Sequence, residues 1–366
     1  MAPLCIMLSK DVRFEARICL TGQHREMLDQ VLEIFNIKGD YDLNVMRQGQ
    51  DLTEVSSRIL EGLQPIVENF APDICLVHGD TTTSMAASLA SFYSRTPIGH
   101  VEAGLRTNNL FSPWPEEGNR RINSVLSTLH FALSEESVRN LLAEGVKQKS
   151  IILTGNTVID ALNIVLNRLK SNPILVEELS KQFSFIDDSR KMLLVTGHRR
   201  ENIGIALDGV SRALAIIAKK YPNIDIVYAL HMNPAVHVSV KKHLGYFNNV
   251  HLIGPQDYMA FIYLMKHSTL ILTDSGGIQE EAPALGKPVL VFRETTERPE
   301  AVRAGCAKLI GVEDSSILTE VEKIITNESE RIQMSQVRNP YGDGLASGRI
   351  IDSLVKYFKE VATISK

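Results

Sequence analysis

Leu270-Ile271-Leu272-Thr273-Asp274-Ser275-Gly276-Gly277-Ile278-Gln279-Glu280-Glu281 is the stretch on which the fold reading rests. The apolar run 270–272 reads as a short buried strand, and the residues after Gly277 read as a helix. A strand that turns through Ser-Gly-Gly into a helix leaves unpaired backbone N–H groups at the helix start. With the positive end of the helix dipole, they favour a phosphate. The two glycines let a ligand approach the backbone closely. Glu280 or Glu281, one turn in, is then placed to reach the ribose hydroxyls of a nucleotide. The stretch points to a nucleotide diphosphate; a plain helix start with a Ser or Asp N-cap is the competing reading.

The same alternation of strand and helix runs along the chain. Strands are expected at 16–20, 74–77, 98–101, 130–133 and 151–153. Helices are expected at 1–8, 25–37, 53–70, 82–93, 117–126 and 134–142. A second series opens with a strand at 192–196, after a helix at 158–169 and a polar stretch to Lys191. It continues with a helix at 205–221 and strands at 224–230, 250–253, 270–272 and 289–291. This is an α/β pattern of two Rossmann-like halves with a cleft between them. The expected domains are 1–156, joined by a C-terminal helix at 346–366, and 157–345.

Bulk composition removes several classes. The 366 residues exceed one ordinary core. Hydrophobic content of 44% and charged content of 22% are those of a soluble globular chain. With 39 Lys and Arg against 43 Asp and Glu, the net charge of −4 argues against nucleic-acid binding by phosphate neutralisation. No apolar run is long enough to span a membrane and no secretory segment is evident, so a cytoplasmic location is expected. Cys5, Cys19, Cys75 and Cys306 are scattered without metal-ligand spacing, and no metal or cofactor is expected.

Carboxylates and cations gather at strand ends. In Val77-His78-Gly79-Asp80, Asp80 follows a buried strand, where ligands of open α/β sheets bind; a helix N-cap is the alternative. Glu102, in His100-Val101-Glu102-Ala103-Gly104-Leu105-Arg106, also ends a strand, with a salt bridge to Arg106 as its alternative role. Glu116 and Glu117 open a helix after Ser112-Pro113-Trp114-Pro115, where the dipole alone explains at least one of them. Asp80, Glu102 and Glu116 suit general acid/base work. In the second half, Gly197-His198-Arg199-Arg200 places His198 and two arginines after a strand, suited to a diphosphate. Thr295-Thr296-Glu297-Arg298-Pro299-Glu300 adds a charged segment.

Nine strings, including Gln23-His24-Arg25-Glu26-Met27-Leu28, Gly79-Asp80-Thr81-Thr82-Thr83, Thr154-Gly155-Asn156-Thr157-Val158-Ile159-Asp160 and Asn339-Pro340-Tyr341-Gly342-Asp343-Gly344, span the chain in order. Together they resemble the non-hydrolysing bacterial UDP-N-acetylglucosamine 2-epimerases. The resemblance implies a fold like that of the GT-B glycosyltransferases, with the active site in the interdomain cleft. It implies interconversion of UDP-N-acetylglucosamine and UDP-N-acetylmannosamine through bound UDP and 2-acetamidoglucal, serving surface polysaccharide synthesis in a homodimer. Carried over by residue, Asp80, Glu102 and Glu116 are acid/base candidates, and His198 meets the leaving phosphate. Ser275, Gly276 and Gly277 hold phosphates, Glu281 binds ribose with Arg298 nearby, and Gln256 and Phe261 contact uracil. Gln23, Glu26, Arg199, Glu201 and His231 match a second, allosteric UDP-N-acetylglucosamine site.

The family opens with a strand and a cationic loop that lead into Met-Ala-Pro, whereas this chain starts at Met1-Ala2-Pro3. By that comparison the first strand and the loop's arginine and lysine are expected to be missing. Exposed strand edges and weak or no epimerase activity are expected of the 366-residue form, with activity in one extended upstream. Other readings are a hydrolysing epimerase, a GT-B glycosyltransferase and a non-enzymatic nucleotide-sugar binder.

Overall fold

The computed structural model describes residues 1–23, 25–47, 49–197, 205–230 and 234–364. Two compact units divide them, Met1–Ala161 with Tyr341–Lys366, and Leu162–Pro340.

In the first unit, α1 (Ala2–Lys10) has Pro at its start, where a missing N–H costs no hydrogen bond. It is followed by β1 (Cys19–Leu20), α2 (Arg25–Phe35) and β2 (Tyr41–Asp42). The expected strand at 16–20 shrinks to two residues because β1 pairs only over Cys19↔Tyr41 and Leu20↔Asp42. Next come α3 (Leu52–Phe70), β3 (Cys75–His78), α4 (Thr82–Tyr93), β4 (Ile98–Ala103), α5 (Glu116–Leu126), β5 (Leu129–Ala132), α6 (Glu135–Ala143) and β6 (Ile151–Leu153). A capping box between Asp51 and Glu54 opens α3, and an αL residue, Ala71, ends it. Strands β3-β4-β5-β6 form a parallel sheet in that order, so β3 is an edge strand; β1 and β2 form a separate pair. Val101, Leu129 and Phe131 are buried in this unit's core.

The chain leaves the first unit within α7 (Thr157–Ser171). The polar stretch before Lys191 contains α8 (Pro173–Gln182), with Asn172 capping Leu175 N–H and Pro173 at its first position. Then follow β7 (Lys191–Gly197), α9 (Ile205–Lys220), β8 (Ile224–Leu230), α10 (Pro234–Leu244), β9 (Val250–Ile253), α11 (Tyr258–His267), β10 (Leu270–Thr273) and α12 (Gly276–Ala284). Elements β11 (Val289–Val291), α13 (Pro299–Ala304), β12 (Ala307–Leu309), α14 (Asp314–Thr326) and α15 (Glu328–Ser335) complete the unit. Its six parallel strands lie in the order β12-β11-β10-β7-β8-β9. Strands β7, β8 and β10 are buried throughout except for Lys191, which explains their largely apolar sequences.

The last helix, α16 (Ala346–Ile364), belongs to the first unit. Asp160 of α7 caps it by accepting from Ala346 N–H at 3.2 Å and Ser347 N–H at 2.8 Å. Gly155 and Gly342 face each other so closely that a Cβ on either would lie 3.3 Å from the other's backbone. Both have positive φ, so the two strings that carry them need glycine for space and for conformation.

Candidate functional site

Strand order places a topological switch point in the second unit. The chain runs from β7 outward through β8 to β9, then returns to the other side of β7 with β10. Ligands of open α/β sheets bind at the carboxyl ends of the strands flanking such a point. Thr196↔Thr273 and Thr273↔Val291 are register partners, so the carboxyl ends of β7, β10 and β11 lie side by side.

Residues 274–277 leave β10 at that point. Ser275 occupies the N-cap of α12 but makes no side-chain cap hydrogen bond; its own N–H donates to Thr273 Oγ1 at 3.0 Å. The ordinary capped helix start that competed with an anion site is therefore not the one formed. Among the described residues nothing lies within 4 Å of a Cβ on Gly277, so no packing among them requires glycine there. A Cβ on Gly276 would lie 3.2 Å from Arg298 Cζ, which brings this guanidinium against the turn. Arg298 is held there by Glu280 at 2.8 Å and Glu297 at 3.1 Å, and Glu297 by Arg293 at 2.9 Å. Thr296 donates to Gln279 at 2.7 Å, which ties the segment after β11 to α12.

The two glutamates of α12 take different roles. Glu280 goes to Arg298. Burial pushes its carboxyl above the ordinary range, and the Arg298 charge opposes that rise. Glu281 accepts a short hydrogen bond from the Tyr258 hydroxyl of α11, and burial raises its carboxyl to about 7. Tyr258 is pushed up by burial and then by Glu281. Phe261 lies half-buried on the same helix. Gln256, just before α11, donates to Gly254 O at 2.8 Å and accepts from Gln182 at 3.0 Å. Tyr258 and Arg293 escaped the sequence reading; no local pattern marks a tyrosine as a carboxylate partner 23 residues away.

In the first unit Asp80 follows β3, Glu102 lies at the end of β4, and Glu116 and Glu117 open α5. Thr81 caps α4 through Ser84 N–H, so Asp80 is not the N-cap. Asp80 instead binds Arg120 of α5, whose Nε and Nη2 lie 2.8 and 2.7 Å from Oδ2. Glu102 does not pair with Arg106, which is buried against Glu144 at 2.6 Å. Glu102 has φ +64°, and the β4–β5 register shifts across it, so it sits on a β-bulge. A non-glycine residue in that region carries strain, and a bulge re-aims its side chain. The Glu102 carboxylate lies 3.4 Å from His78 Nε2 and beside Gly79.

Glu116 and Glu117 also part ways at the start of α5. Glu117 is wholly buried and accepts from Thr107 and Asn108 N–H and from Arg120 and Arg121. Glu116 presents a buried Oε2 that no described group bonds. Below them, His100 Nε2 donates to Gly79 O at 2.8 Å; His100 and His130 both sit near 4 because burial disfavours the imidazolium.

Among the residues of the expected second site, Gln23 accepts from Thr83 Oγ1 at 2.8 Å and Glu26 is exposed. His198, Arg199, Glu201 and His231 lie outside the described residues.

The chain as a whole has close relatives. A family profile described as UDP-N-acetylglucosamine 2-epimerase matches residues 7–355. The chain is 56% identical over 357 residues to the UDP-N-acetylglucosamine 2-epimerase of Salmonella typhimurium, covering 98% of this chain and 95% of that protein. The crystal structure of the Neisseria meningitidis UDP-GlcNAc 2-epimerase bound to UDP-GlcNAc is 51% identical, with a TM-score of 0.92, covering 97% of this chain and 96% of that one. The Methanocaldococcus jannaschii enzyme, solved with UDP-GlcNAc and UDP, is 29% identical at a TM-score of 0.81, covering 97% and 95%. By profile span, identity and fold, the chain belongs to the UDP-N-acetylglucosamine 2-epimerase family.

Proposed function

We propose that this chain interconverts UDP-N-acetylglucosamine and UDP-N-acetylmannosamine by elimination and re-addition of UDP. C2 of the sugar has no adjacent carbonyl, so an enolate is unavailable. A base removes the C2 proton, the C1–O bond breaks with its electron pair going to the diphosphate, and a C1=C2 double bond forms. C2 is then protonated on the opposite face as a β-phosphate oxygen of UDP returns to C1. No electrons are gained or lost overall.

The observation that carries this reading is the set of differently supported carboxylates after β3, at the end of β4 and at the start of α5. Asp80 is paired with Arg120, Glu102 sits on a strained bulge, and Glu116 offers a buried oxygen that no described group bonds. Such differences suit groups that must give and take a proton in turn. The uncapped start of α12 suits a phosphate, Glu281 and Tyr258 a ribose, and Gln256 and Phe261 a uracil. A homodimer in the cytoplasm, supplying surface polysaccharide synthesis, belongs to the same proposal. Among the described residues no helix is long and apolar enough to cross a membrane.

The test is turnover of UDP-N-acetylglucosamine in deuterated water, followed by NMR. Deuterium at C2 of both nucleotide sugars is expected. Free N-acetylmannosamine as the main product, or epimerisation with C2 still protonated, would refute elimination and re-addition.

A further inference from the structure

Helix α5 is built the wrong way round for a helix that serves only stability. Its buried residues are Glu117, Asn119, Arg120, Asn123 and Ser124, while Ile122 and Val125 are exposed. A surface helix ordinarily buries its apolar stripe. Three of the buried side chains reach the same two residues. Asn119 Nδ2 donates to Asp80 O at 2.8 Å, Asn123 Nδ2 donates to Gly79 O at 3.2 Å, and Arg120 binds the Asp80 carboxylate.

The charges are arranged in one direction. Glu117, with no exposed surface, is fixed by two backbone N–H groups, at 3.0 and 3.2 Å, and by Arg121 at 3.3 Å. It holds Arg120 Nη1 at 3.2 Å, and the Arg120 side chain is only 5% exposed. Arg120 in turn places both Nε and Nη2 on one oxygen of Asp80, whose side chain remains 26% exposed. Among the described residues nothing bonds the other oxygen, Oδ1. A buried pair formed for stability alone tends to satisfy and enclose both partners. Here the buried end is saturated and the open end is a carboxylate with one oxygen left over.

We propose that Glu117 and Arg120 are positioning residues, which hold Asp80 in the rotamer and orientation that its proton transfer requires. The proposal rests on Asp80 being one of the acid/base groups. Arg120 touches no substrate in this assignment; it acts by fixing Asp80, and Glu117 acts by fixing Arg120.

The test compares R120Q, R120K, E117Q, D80N and the D80N/R120Q double variant in the full chain. The readouts are kcat, KM, deuterium entry at C2 and calorimetric UDP affinity. Misplacing a catalytic group by about 1 Å costs on the order of 10²-fold in rate. R120Q is expected to lose about that much kcat while KM and UDP affinity move less than about threefold. R120K, which keeps the charge but not the fork, is expected to lose about tenfold. D80N/R120Q is expected to be no slower than D80N, since the arginine then has nothing left to position. If R120Q fails to fold, E117Q serves, with an expected loss of about tenfold in kcat at unchanged KM. An inactive D80N beside an R120Q or E117Q of normal kcat overturns the positioning role alone, as do multiplicative losses in the double variant. A D80N of normal kcat removes the acid/base role of Asp80 itself.

Discussion

Glu281→Gln removes a carboxylate that the fold holds against the preference of the free side chain. Glu281 is 7% exposed, and burial raises its carboxyl from 4.5 to about 7, with the Tyr258 hydroxyl pulling the other way. At about 1.4 kcal/mol per tenfold, that rise corresponds to about 3 kcal/mol. Because the folded value lies above the unfolded one, the stabilising contribution is complete below about 4.5. It is lost as pH climbs to about 7, and above that the folded state carries the full cost of the buried charge. Glutamine carries no charge at any pH and keeps an oxygen for the Tyr258 hydroxyl. In calorimetry at pH 8, E281Q is expected to melt about 6–12 °C above the unsubstituted protein, at about 2–4 °C per kcal/mol. At pH 4.5 the two should melt together. UDP affinity at pH 8 should fall at least tenfold, because two ribose hydroxyls lose a charged acceptor. Equal melting shifts at pH 4.5 and pH 8, or a lower melting point for E281Q at both, would refute the burial argument.

His100 and His130 act in the opposite sense. Each folded value is depressed from 6.5 to about 4, so stability is complete above about 6.5 and is lost as pH falls towards 4. The loss is on the order of 3 kcal/mol per histidine. H130Q should lose visibly less stability than the unsubstituted chain between pH 7 and pH 5 in urea titrations; identical pH slopes would refute this. Two glycines should separate packing from binding. A Cβ on Gly104 would meet Ser137 O at 2.4 Å on a backbone at φ +94°, so G104A should cost about 3 kcal/mol or more. Among the described residues nothing faces Gly277, so G277A should leave the melting point unchanged or higher while weakening UDP binding at least tenfold. Equal UDP affinity in G277A would exclude close backbone approach at that turn.

Much of this was readable along the chain. The run at 270–272 is apolar because its strand is covered on both faces. The missed α8 had a usable signal in Asn172-Pro173, a capping residue followed by a proline at the first helical position. The two-residue β2 had none, since Tyr41-Asp42 is neither alternating nor a run. Its existence depends on a partner, β1, which itself pairs over two residues.

The sequence by itself determined the order of strands and helices, the glycine-bearing turns and the residue types at each strand end. Those follow from hydrophobic period, capping chemistry and backbone freedom, all of which act within a few residues. Tertiary structure alone decided which charge meets which. Asp80 pairs with an arginine 40 residues on rather than capping its helix, and Glu281 with a tyrosine on another helix. Glu102, at the end of an expected strand, is turned onto a bulge at φ +64°. A charge or a strained dihedral becomes bearable only in surroundings that supply its partner or enforce its angle, and those surroundings come from distant parts of the chain.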